Sequence, residues 1–126
     1  MQWLAGAGAR IAIPVGHNEH WDLVAELDGR LLRVQVKTST FRRNGRWEIT
    51  LCTRGGNRSW QGLVKRLDAT RFDYLFVHVG DGRRWFIPAR HVAAGSSMLL
   101  GGPKYAPFEV SGGEALAAAD ARLGAL

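Results

Sequence analysis

Three residues within one short stretch, Asp22, Gln35 and Lys37, have the types and spacing to do chemistry together. A carboxylate and an amide oxygen are hard donors suited to Mg²⁺ or Mn²⁺, and the backbone carbonyl of Val36, between Gln35 and Lys37, is a candidate further ligand. A cation held in this way acidifies a water and neutralises charge on a bound phosphate. A lysine beside it orients that water and stabilises an anionic transition state. The reaction that suits such a set is phosphodiester hydrolysis. The competing reading places Asp22 at a strand entrance, with Gln35 and Lys37 as ordinary solvent-facing residues.

The segment WDLVAELDGRLLRVQVKTST, residues Trp21 to Thr40, must bring these groups together. It reads as two strands around Asp28-Gly29, a dipeptide suited to a two-residue hairpin turn. With those two residues as the loop, Leu27 pairs with Arg30 and Asp22 with Gln35, their Cβ atoms about 4.5–5.5 Å apart. Side chains alternate along a strand, so Lys37 is the diagonal neighbour on the same face. Trp21, Leu23, Ala25, Leu27, Leu32, Val34 and Val36 share the other face, which reads as core.

The rest of the chain supplies a frame. Residues 2–8 read as the end of a helix, and Ile11, Ile13 and Val15 as a strand. Residues 42–46 form a turn before a strand over Trp47–Thr53. Ser59 is positioned to cap a short helix over Trp60–Leu67. Tyr74–Val79 is a continuous apolar run of central-strand type, with His78 read as a packed histidine. Asp81-Gly82 turns the chain into Arg84–Ile87, which Pro88 ends. A short helix over 89–94, a small strand at Met98–Leu100 and a helix over Glu114–Leu123 complete an α+β fold with a mainly antiparallel meander at its centre. The length of 126 residues suits a single domain, 1–126.

Charge points to a partner. The net charge is +6, and between Arg30 and Arg66 ten Lys/Arg face one acid, Glu48. Guanidinium forks suit phosphate oxygens, which makes Arg42, Arg43, Arg46, Arg54 and Arg58 candidate nucleic-acid contacts. A solvated basic face is the plainer alternative. The lone Cys52 cannot form an internal disulfide, so a reducing, cytoplasmic setting is the expectation. No apolar run approaches the roughly 20 residues of a membrane span. Trp47 and Trp60 read as core rather than as platforms for bases.

The words DLVAELDGRLLRVQVKT, FDYLFVHV and WFIP resemble the PD-(D/E)XK nuclease superfamily. The branch they are most similar to is that of group I intron homing endonucleases, with Gln in the second acid position. The resemblance implies a restriction-endonuclease-like core with a mainly antiparallel sheet flanked by helices, and metal-dependent cleavage of DNA. It implies Asp22 as the metal-binding acid, Gln35 in the (D/E) position and Lys37 as the catalytic lysine. It also implies a homo-oligomer, dimer or tetramer. That branch carries a Glu on its N-terminal helix, whereas Gln2–Gly8 holds no acid. The expectation is therefore a helix cut short, with Glu19 and Glu26 as candidate substitutes. Glu26 near the turn, about 13 Å from Asp22, reads better as a surface acid, and Glu19, which is nearer, as a loop acid. The alternative is a catalytically inactive nuclease-fold protein that binds DNA.

Overall fold

The computed structural model of the chain describes residues 10–12, 23–27, 29–54, 64–66, 70–92, 97–111 and 116–124. The hairpin forms in the expected register. Leu23–Leu27 (β2, after β1 at Arg10–Ala12) pairs antiparallel with Arg30–Ser39 (β3), Leu27 opposite Arg30 and Leu23 opposite Val34. Gly29 takes φ +82°, left-handed backbone that a residue without Cβ adopts at little cost. Glu26 serves this turn, its Oε1 accepting from the Gly29 N–H at 3.3 Å.

A second hairpin, Arg42–Arg43 (β4) and Arg46–Thr50 (β5), turns at Asn44 and Gly45, with φ of 53° and 75°. Positive φ at both central residues matches the twist of the flanking strands, which is why Asn-Gly works here. The strand expected over Trp47–Thr53 divides at Leu51. Its continuation, Cys52–Arg54 (β6), pairs with Val64–Arg66 (β7) in a separate two-stranded sheet. Val64–Arg66 is thus strand rather than the helix expected over Trp60–Leu67. The remainder of that stretch lies outside the described residues.

Tyr74–Val79 (β8), Arg84–Pro88 (β9) and Glu109–Val110 (β11) complete a six-stranded sheet in the order β1-β2-β3-β8-β9-β11. Ser97–Leu100 (β10) pairs with β5 in a three-stranded sheet. Four of the five pairings in the larger sheet are antiparallel. The central one, β3 with β8, is parallel, so the chain crosses over between them instead of meandering. Asp73 fixes this junction. Its carboxylate accepts from the Arg33 N–H at 2.7 Å, and its own N–H donates to the Arg33 carbonyl at 2.8 Å.

Register decides what each face of the large sheet carries. One face holds Leu23, Ala25, Leu32, Val34, Tyr74, Phe76 and Phe86, all buried, and the C-terminal helix Leu116–Gly124 (α1) closes over it. Asp120 of α1 accepts from the Tyr74 hydroxyl at 2.6 Å and from Arg30 at 2.6 Å. The opposite face holds Leu75, Val77, Trp85 and Ile87, fully buried, in the same core as Trp47, Ile49, Met98 and Leu100 of the small sheet. Each such side chain contributes about 1.5–3 kcal/mol by leaving water. Trp47 is core, as expected. No helix among the described residues is long and apolar enough to cross a membrane.

Candidate active site

Gln35 and Lys37 sit on the same face of β3, opposite Leu75 and Val77 of β8. Gln35 is buried at 8% exposure, whereas Lys37, one step nearer the strand end, is half-buried and reaches solvent. Both are therefore held by the central parallel pair, the part of the sheet with neighbours on each side. Val36 points to the opposite face, half-buried against the core. Asp22 lies outside the described residues, as do Glu19 and Arg58.

Lys37 opens into a cleft of about 690 Å³ at the C-terminal ends of β3 and β8. The small sheet forms the other wall through Glu48 and Thr50 of β5. Hydrogen bonds fix that wall. Ser39 Oγ donates to the Glu48 carbonyl at 2.6 Å and accepts from the Phe41 N–H at 3.0 Å, while the Glu48 N–H donates to the Phe41 carbonyl at 3.0 Å. Gly80 brings the end of β8 against Trp47; a Cβ there would meet the indole at 3.3 Å.

Two groups at this cleft were not singled out from sequence as site residues. Glu48 is the only carboxylate along its described lining, and its Oε1 lies 3.9 Å from Arg43 Nη1, a loose and partly exposed pair. A signal existed, since Glu48 is the single acid in the basic segment. His78, read as packed, is exposed and lines the cleft: it shares its face of the sheet with exposed Thr38, while Val79 on the other face is buried. Phe41 also borders the cleft, at 75% exposure.

The arginines divide. Arg42 donates to the Gly45 carbonyl at 2.9 Å and lies over the Trp47 ring, 4.6 Å from its centre. Arg43 and Arg46 stand opposite each other across the β4–β5 hairpin, both exposed. Arg54 lies on β6, paired with Val64.

Oxygen donors of the kind a hard cation takes are present at Gln35, Val36 and Glu48. Among the described residues, however, no three His, Cys, Asp or Glu side chains are grouped to hold a metal.

No curated protein matches this chain. Among solved structures, it is similar to the bacterial homing endonuclease I-Ssp6803I. The likeness has 23% sequence identity and a TM-score of 0.65 over 79% of this chain and 68% of that one, and it shows a shared fold. The sequence model for the PD-(D/E)XK endonucleases matches residues 1–100, and the chain belongs to that family.

Proposed function

We propose that the chain is a metal-dependent DNA endonuclease, homing-endonuclease-like, built as one domain over residues 1–126. The observation that carries this reading is the placement of Gln35 and Lys37 on one face of β3, with Lys37 opening into a cleft large enough for a phosphodiester. Asp22, outside the described residues, enters this reading as the proposed continuation of the hairpin beyond the Leu23–Val34 pair, facing Gln35.

In this reading Asp22, Gln35 and the Val36 carbonyl hold Mg²⁺ or Mn²⁺, which when bound supplies an acidified water and charge neutralisation at the phosphate. The Lys37 ammonium donates hydrogen bonds to the attacking water and to the phosphate oxygens as their charge grows. Buried packing beside Leu75 holds the Gln35 side chain in place, so its amide oxygen needs little reorganisation. Arg42, Arg43, Arg46, Arg54 and Arg58 hold the DNA backbone. A homo-oligomer, a cytoplasmic setting and an association with a group I intron belong to the same proposal through the resemblance to homing endonucleases.

A second reading, a nuclease-fold protein that binds DNA without cutting it, rests on the sequence of Gln2–Gly8, which holds no acid where the resemblance expects a Glu. Incubation of the full chain with supercoiled plasmid, in Mg²⁺ and in EDTA, tests both. Nicked or linear product in Mg²⁺ alone supports the endonuclease. Retention of plasmid with no product in either condition supports the binding protein. Neither retention nor product defeats both readings.

A further inference from the structure

We infer that Arg43, Arg46 and Lys104 form a second phosphate site for duplex DNA, separate from the Lys37 cleft; this rests on the proposal that the chain acts on DNA. The three cations line a pocket of about 420 Å³ with Ser97, Gly102 and Tyr105, and no carboxylate is among its lining residues.

Three features show how the site is built. Arg43 and Arg46 are directly paired across the hairpin, where like charges ordinarily destabilise the strands. Glu48 answers this through a loose 3.9 Å contact with Arg43. An anion between the two guanidinium groups relieves the repulsion. Lys104 is brought in from far along the chain by the pairing of β10 with β5, Leu100 opposite Trp47, followed by a turn at Gly101 with φ of 108°. Lys104 Nζ rests 5.3 Å from the centre of the Tyr105 ring.

Gly102 seats the third feature. A Cβ at this position would lie 2.6 Å from Arg46 Cζ and 2.8 Å from its Nε, so the guanidinium occupies the space that a side chain at Gly102 would take. Gly102 does not have positive φ, so alanine there brings no backbone strain and acts by displacing Arg46. The ligand chemistry is a phosphate oxyanion, and the source is the DNA backbone: Arg46 and Glu48 alternate on one face of β5, which places pocket and cleft about 7 Å apart along the strand. One duplex reaches both.

The test measures DNA affinity of the full chain against salt for Lys104→Ala, Arg46→Ala and Gly102→Ala. Arg71→Ala, which removes one exposed charge elsewhere, is the control. Each phosphate contact contributes about 0.9 to the slope of log affinity on log salt. Lys104→Ala and Arg46→Ala should each flatten the slope by about that amount. Between 50 and 200 mM salt, the affinity loss then becomes about 3.5-fold smaller than in the parent. Gly102→Ala should weaken binding with an unchanged melting temperature. A Lys104→Ala slope equal to that of Arg71→Ala overturns the site while leaving nuclease activity of the parent intact. Competition by inorganic phosphate at constant ionic strength, without any change of slope in Lys104→Ala, identifies a free-anion site and likewise overturns the assignment to DNA. A parent that neither binds nor cleaves DNA overturns the proposed function, and this site with it.

Discussion

Tyr74→Phe isolates the hydrogen bond that fastens α1 to the sheet carrying Gln35 and Lys37. The Tyr74 hydroxyl donates to Asp120 Oδ1 at 2.6 Å, and both residues are buried. Burial first, and then the bond and charge of Asp120, push the hydroxyl far above the ordinary tyrosine value, so it remains a donor at any working pH. Phenylalanine keeps the ring, which stacks on Phe86 at 4.0 Å, and therefore opens no cavity. What is lost is one hydrogen bond to a charged, nearly buried acceptor, a loss of about 1.5–3 kcal/mol. With an unfolding entropy of about 2.1 cal/mol/K per residue, the whole chain loses about 0.26 kcal/mol per degree, so the melting temperature should fall by about 6–11 °C. Arg30→Ala removes the other partner of Asp120, but this guanidinium is mostly exposed and its pair is screened, so a loss of about 0–1 kcal/mol is expected. Thermal melts at pH 7 followed by circular dichroism read both. A fall below about 2 °C for Tyr74→Phe, or a larger loss for Arg30→Ala, would refute this account of the junction.

Gly45→Ala should destabilise by about 1–2 kcal/mol in the same melts, because an L residue is strained at φ 75° while the added methyl meets no neighbour. Glu109 is held below its usual carboxylate value first by hydrogen bonds from Arg83, with partial burial opposing. Its folded value is the lower one, so the stabilisation is present above about 4.5 and is lost as pH falls through the folded value. The difference in melting temperature between the parent and Glu109→Gln should accordingly shrink below that pH. Gln35→Glu should tighten Mn²⁺ binding, measured calorimetrically without DNA, since it replaces a neutral oxygen donor by a carboxylate.

Local chemistry was legible in the sequence; distant pairing was not. Asp28-Gly29 set the register of β2 and β3 because a two-residue turn leaves one alternation that buries Leu23, Ala25, Leu32 and Val34. That alternation also put Gln35 and Lys37 together. The parallel partnership of β3 with β8 depends on Asp73 meeting Arg33 across 40 residues, and no local pattern announces it. The same limit hid the cleft. Glu48 reaches it through the packing of the small sheet against the large one, and His78 stands in an apolar run that reads as wholly buried. Val64–Arg66 misled for a different reason: a three-residue strand is too short to show a period, and its partner lies on β6.

The most direct measurement is single-turnover cleavage of duplex DNA in Mg²⁺ by the parent and by Lys37→Ala, with DNA affinity measured on the same preparations. Lys37 is half-buried at the cleft, outside the buried core, so its truncation should leave folding within about 0.5 kcal/mol. The account predicts cleavage by the parent, loss of cleavage in Lys37→Ala, and affinity that changes by no more than one phosphate contact. Undiminished cleavage by Lys37→Ala would contradict it and remove the active site from this face of β3.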